Sequence, residues 1–172
     1  MVEAFKAYFD QLKNLDVKDS TEHTLRPALD HLLNALAGKK IKVINEPKRD
    51  PTGKGAPDFK FKTNECILGY LENKNHTENL DQILRSEQVA KYKQLSGNLI
   101  LTNYLEWLWL KDGAITKRET LCYPSDIGYY KARLDPDKAA KVAALIAAFL
   151  STPPKGIGRA KDFGFGPGDP LP

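Results

Sequence analysis

Near the start of the chain, apolar residues recur at helical spacing. Phe5, Phe9 and Leu12 share one stripe, which predicts a helix from about Val2 to Leu15. A polar break at Asp16–Ser20 follows. A second helix is expected to run on to about Ala37, carried by Leu25, Leu29, Leu32 and Leu36, with Asp19 or Ser20 as its cap and Gly38 as its stop. Pro27 inside that pattern must either kink the helix or lie in its first turn. The period then changes. Ile41, Val43 and Ile44 read as a strand, Pro47–Ala56 as a loop, and Asp58–Phe61 and Cys66–Lys74 as two more strands. Asn79 to about Leu95 reads as a helix. Asn98–Thr102, Glu106–Lys111 and Ala114–Leu121 read as strands, the last two joined by the Asp112-Gly113 turn. Pro136–Leu150 is a closing helix with proline at its start.

This order predicts an α/β fold, a central mixed β-sheet flanked by helices. Trp107 and Trp109 alternate with Leu108 and Leu110, so both faces of their strand are apolar and the tryptophans are expected in the core. From Ser151 onward Pro and Gly crowd the sequence. The domain is therefore expected over 1–150, with 151–172 a linker or loosely attached tail.

The chain has 172 residues, 41% of them apolar and 28% charged, enough for one domain with its own core. Cys66 and Cys122 are too few for a disulfide scaffold, and no signal peptide precedes them. Free thiols in a reducing cytoplasm are expected. His23, His31 and His76 form no zinc-ligand spacing with the cysteines. The longest apolar run, Val142–Leu150, has nine residues against the roughly 20 needed to span a bilayer, so no membrane association is expected.

Charge changes the picture more than composition does. The net charge is +4, but between Lys39 and Lys62 eight basic residues meet only Glu46, Asp50 and Asp58, giving +5 in that segment and −1 elsewhere. Lys48, Arg49 and Lys54 are part of it. Concentrated positive charge points to a polyanion such as DNA or RNA; a solvated basic loop is the plainer alternative.

The chemistry lies in Gly55-Ala56-Pro57-Asp58-Phe59 and Gly69-Tyr70-Leu71-Glu72-Asn73-Lys74. Glu72 and Lys74, two apart on a strand, point to one face and Asn73 to the other. Charge at the end of an apolar strand is costly unless compensated, and Asp58 at the start of a neighbouring strand can bring a second carboxylate there. Two carboxylates beside an ammonium make a site for a hard cation such as Mg²⁺. A metal-bound water, made more acidic, can attack a phosphodiester while the ion and Lys74 stabilise charge on the phosphate.

These residues resemble the PD-(D/E)xK nuclease superfamily, with Pro57-Asp58 as the first element and Glu72-Asn73-Lys74 as the second. The resemblance implies a restriction-endonuclease-like core, with Asp58, Glu72 and Lys74 catalytic and Asp58 and Glu72 the metal ligands. On the next helix, Gln88-Val89-Ala90-Lys91-Tyr92 is similar to the QxxxY element of nucleases like the exonuclease domain of bacterial recombination helicase–nucleases. There it implies that Gln88 and Tyr92 hold the DNA backbone and steady the catalytic residues, with Arg85 on the same stripe as a DNA contact. Glu22 resembles the acidic residue that many members carry on the preceding helix to support the metal; a capping box with Asp19 or an ion pair with Arg26 are its alternatives. Glu46 is a rival acid, or else a partner of the nearby lysines.

More narrowly, much of 22–150 resembles the amino-terminal nuclease domain of prokaryotic restriction–modification polypeptides, in which the nuclease is fused to an adenine-N6 DNA methyltransferase. That resemblance implies Mg²⁺-dependent cleavage of double-stranded DNA, with Mn²⁺ expected to substitute. It also implies methyltransferase and target-recognition domains as partners, in the same polypeptide or in trans. The sequence carries neither, so an excised domain or a stand-alone nuclease is expected. A non-catalytic nucleic-acid-binding module with the same fold, or a nuclease acting on RNA, are the other readings.

Overall fold

The computed structural model describes residues 2–21, 23–49, 51 and 53–153. Its elements are α1 (Val2–Lys13), α2 (Arg26–Ala37), β1 (Lys42–Asn45), β2 (Phe59–Lys62), β3 (Ile67–Asn73), α3 (Leu80–Ile83), α4 (Glu87–Leu95), β4 (Asn98–Thr102), β5 (Glu106–Lys111), β6 (Ala114–Thr120) and α5 (Pro136–Leu150), with a 3₁₀ turn at Pro124–Asp126. The strands form one six-stranded sheet in sequence order. β3 and β4 are parallel and every other neighbouring pair is antiparallel. The expected mixed sheet flanked by helices is thus observed. The β3–β4 pair is parallel because the α3–α4 segment separates its strands, a crossover that a tight hairpin cannot make.

Strand alternation sorts the core into two layers. On one face Phe59, Phe61, Leu71, Ile100, Trp107 and Trp109 pack with α1, α2 and α5. On the other, Tyr70, Leu99, Leu101, Leu108 and Leu110 pack with Leu80, Val89 and Tyr92 of α3 and α4. β3, β4 and β5 are central and covered on both faces, as their near-continuous apolar runs required. A side chain at Gly69 of β3 would lie 2.5 Å from the Asn98 carbonyl and 2.7 Å from the Phe149 ring, so glycine there lets α5 close onto the sheet.

Two helix boundaries differ from expectation. The second helix begins at Arg26, and neither Asp19 nor Ser20 caps it. Pro27 fits this start: it sits in the first turn, where its missing N–H costs nothing. Gly38, with φ 68°, ends the helix as expected. The helix expected over Asn79–Leu95 is divided into α3 and α4, each with its own cap. Asn79 accepts from the N–H groups of Asp81 and Gln82, and Ser86 from that of Val89. The tail expected over 151–172 lies outside the described residues after Pro153.

Candidate active site

The carboxyl-terminal end of β3 turns from apolar to charged at Glu72. Asp58 precedes β2, and the β2–β3 register (Phe59 opposite Leu71) continues to place Asp58 opposite Glu72. The Asp58 N–H lies 3.3 Å from Glu72 Oε2, and the Asn73 N–H donates to Asp58 Oδ2 at 2.9 Å. The two acids expected to meet do so: Glu72 accepts from the Asp58 backbone, and Asp58 from the backbone of Asn73, the residue after Glu72.

Lys74 completes the group. Its Nζ lies 2.7 Å from Glu72 Oε1 and 2.8 Å from Gln88 Oε1. Gln88 Nε2 then donates to the Tyr92 hydroxyl at 2.9 Å, and that hydroxyl donates to the Ala56 carbonyl at 3.3 Å. Gln88 and Tyr92, four apart on α4, thus link the end of β3 to the loop in front of Asp58. That loop approaches closely: at Gly55, with φ 94°, a side chain would lie 3.0 Å from the Tyr92 ring. One unbroken line of hydrogen bonds runs from Asp58 N–H through Glu72, Lys74, Gln88 and Tyr92 to Ala56.

Glu72 is 4% exposed. Burial first, and the Asp58 carboxylate second, push its pKa up to about 7, against the lowering influence of Lys74. Burial and the same two carboxylates push Tyr92 up to about 12, so it remains a hydroxyl donor. Asp58 and Lys74 are only half-buried, with side-chain exposures of 17% and 14%. A cavity of about 530 Å³ opens at the far end of the relay, lined by Arg49, Lys54, Ala56, Lys91, Gln88 and Tyr92.

Arg26 is the neighbour of these acids that sequence reasoning missed. Read from spacing, it was a surface partner for Glu22. In the fold it is 8% exposed. Its Nη2 binds Asp58 Oδ1 at 2.7 Å and its Nη1 binds Glu46 Oε1 at 2.9 Å, while its Nε has no partner. Glu46 therefore reaches the site through Arg26, with its carboxylate exposed, and its backbone N–H donates to the Asp58 carbonyl at 2.8 Å. The signal that could have found Arg26 was its position just before Pro27, in the first turn of a helix whose next turns are buried.

The remaining expectations separate. Arg85 falls between α3 and α4, exposed and near the Asp81 carboxylate, off the Gln88–Tyr92 stripe because the helix is broken there. Lys48 is exposed, Arg49 lines the cavity, and Lys54 reaches the Gln94 carbonyl at 3.1 Å. Glu22 lies outside the described residues. Among the described residues no three His, Cys, Asp or Glu side chains gather as a metal cage. Asp58 and Glu72 are nevertheless a hard-oxygen pair, with Glu72 raised by burial and then by the Asp58 carboxylate. Such a donor set fits a divalent cation that keeps several of its waters.

No helix among the described residues is long and apolar enough to cross a membrane. No protein-family model matches the chain, and no curated protein matches it. By structure it is similar to a chain of the DrdV–DNA complex solved by cryo-electron microscopy. The TM-score is 0.68 at 21% identity, over 90% of this chain and 14% of that one. The likeness is one of fold: this chain has the architecture of a small part of a much larger chain that was solved in complex with DNA.

Proposed function

We propose that the chain is a metal-dependent DNA endonuclease domain of the PD-(D/E)xK type, the nuclease part of a restriction–modification enzyme acting in the cytoplasm. One observation carries the reading. Asp58, Glu72 and Lys74 converge at adjacent strand ends, with Lys74 held 2.7 Å from Glu72 and 2.8 Å from Gln88. The fold likeness to a chain solved in complex with DNA supports the substrate. Because 90% of this chain corresponds to only 14% of that one, methyltransferase and target-recognition domains, fused or in trans, are proposed to read the sequence that is cut.

Asp58 and Glu72 would hold Mg²⁺, with Mn²⁺ able to replace it. When bound, the ion supplies a more acidic water and neutralises phosphate charge. The protein's own residues do the rest. Glu72 and Gln88 fix the Lys74 ammonium on the face of the two acids, where it stabilises the negative charge that grows on the phosphate as the water oxygen bonds to phosphorus and the ester oxygen leaves. Arg26 and the Asn73 N–H orient Asp58. Gln88 and Tyr92 tie this group to the Gly55-Ala56 loop and its basic cavity.

The test is cleavage of supercoiled plasmid in Mg²⁺ or Mn²⁺, with EDTA as the blank. Asp58→Ala and Lys74→Ala should each lose about 100- to 1,000-fold in rate, the scale of one lost electrostatic contact in a transition state. Circular dichroism should show both folded. Calorimetry should give Mg²⁺ binding heat in the parent chain and none in Asp58→Ala. A parent chain that binds duplex DNA but gives neither metal heat nor cleavage would replace this reading with a non-catalytic binding module.

A further inference from the structure

The β1–β2 hairpin carries a feature that the active site does not use. Its register sets Lys42 directly opposite Lys62 and Ile44 opposite Lys60. By alternation, Phe59 and Phe61 enter the core with Val43 beside them, so Lys42, Lys60 and Lys62 stand together on the opposite face. Like charges directly opposed across two strands destabilise the pair. Among the described residues none of the three joins an ion pair. The apolar layer under α3 and α4 contains no β1 or β2 residue, so this half of the sheet face is not covered by it.

The same face carries the catalytic group. Lys60 lies opposite Tyr70, two residues before Glu72 on β3. Asp58, Lys60 and Lys62 follow one another at every second position. At about 6.6–6.8 Å per two residues, the line extends about 13 Å from the acids. Like charges set together with no ion-pair partner among the described residues, in line with a phosphodiester-cleaving centre, fit a polyanion with evenly spaced charge. Duplex DNA presents a charge about every 1.7 Å of axis.

We infer that the β1–β2 face, through exposed Lys42 and half-buried Lys60 and Lys62, is a track for the phosphates of double-stranded DNA leading to the active site. The inference rests on the nuclease reading and adds the surface on which its substrate lies. Lysine heads on flexible stems read charge and not sequence, so the contact is sequence-independent.

The test is fluorescence anisotropy of a labelled 30-base-pair duplex over a range of NaCl concentrations in EDTA, where binding is separated from cleavage. The K42Q/K60Q/K62Q chain is compared with the parent and with K6Q/K18Q/K141Q, which removes the same charge from exposed sites elsewhere. Three lost phosphate contacts should flatten the slope of log K against log [salt] by about 2.7, at roughly 0.9 per phosphate. The control should keep the parent slope. The hairpin variant should melt no lower than the parent, because a like-charge pair has gone. Equal weakening in both triple variants would reduce the effect to net charge and overturn the inference. So would a hairpin variant that binds as the parent does, or a parent that does not bind duplex. A parent that binds through these lysines but never cleaves in Mg²⁺ would end the nuclease reading and leave the track standing.

Discussion

Glu72 and Asn73 are neighbours in sequence, both polar and both buried, and they belong to different worlds. Glu72 points to the α4 side, where Lys74, Gln88 and half-buried Asp58 surround it. Asn73 points to the α1–α5 side. Its Nδ2 donates to the Tyr104 hydroxyl at 2.8 Å, the Tyr8 hydroxyl donates to the Tyr104 carbonyl at 3.0 Å, and all three are essentially sealed. One face of β3 concentrates charge and meets solvent at its margin; the other locks the strand end to α1. A site built on a strand needs both, because carboxylates hold their geometry only if the backbone beneath them cannot shift.

Breaking the sealed face should cost stability before chemistry. The largest effect is expected at Gly69→Ala. Its new methyl would press on the Asn98 carbonyl and the Phe149 ring, both held by the core. About 3 kcal/mol of destabilisation is expected in urea unfolding, the upper part of the range for overpacking. A change under 0.5 kcal/mol would show that α5 moves freely off the sheet.

A smaller loss, about 2 kcal/mol, is expected for Asn73→Ala, which strips the buried Tyr104 hydroxyl of its side-chain donor and leaves a gap. Magnesium affinity by calorimetry should change less than in Asp58→Ala. An equal loss in both variants would mean that the two faces are not separable.

The smallest effect sharpens the charged face. Glu72 titrates near 7 in the fold against 4.5 when free, because burial and Asp58 disfavour its charged form. A raised carboxyl stabilises the fold most fully below the free value, and that contribution is lost as pH rises through the folded one. In EDTA, Glu72→Gln should therefore match the parent near pH 4.5, gain on it up to about pH 7 and hold that gain at higher pH, measured by chemical unfolding. A constant difference across that window would mean that Glu72 is not the acid under strain.

Much of this was legible before folding. Alternation at Leu108–Trp109 and the unbroken apolar run before Glu72 identified central strands, and period 2 put Glu72 and Lys74 together with Asn73 opposed. The Gln88–Tyr92 pair was legible because four residues make one helical turn. The break between α3 and α4 was not, since Asn79 and Ser86 both read as polar positions of one amphipathic helix. Only their side chains turned back onto backbone N–H groups make them two caps. Arg85 lost its expected place for the same reason.

What the sequence determined by itself is local: which residues share a face, where prolines and glycines end elements, and which short motifs bring acid and amine within reach. What only the tertiary structure decided is pairing across distance. Arg26, expected to pair along the chain, meets Asp58, 32 positions away, from the first turn of α2. A buried guanidinium must find carboxylates wherever the fold supplies them, and no spacing along the chain records where those will be.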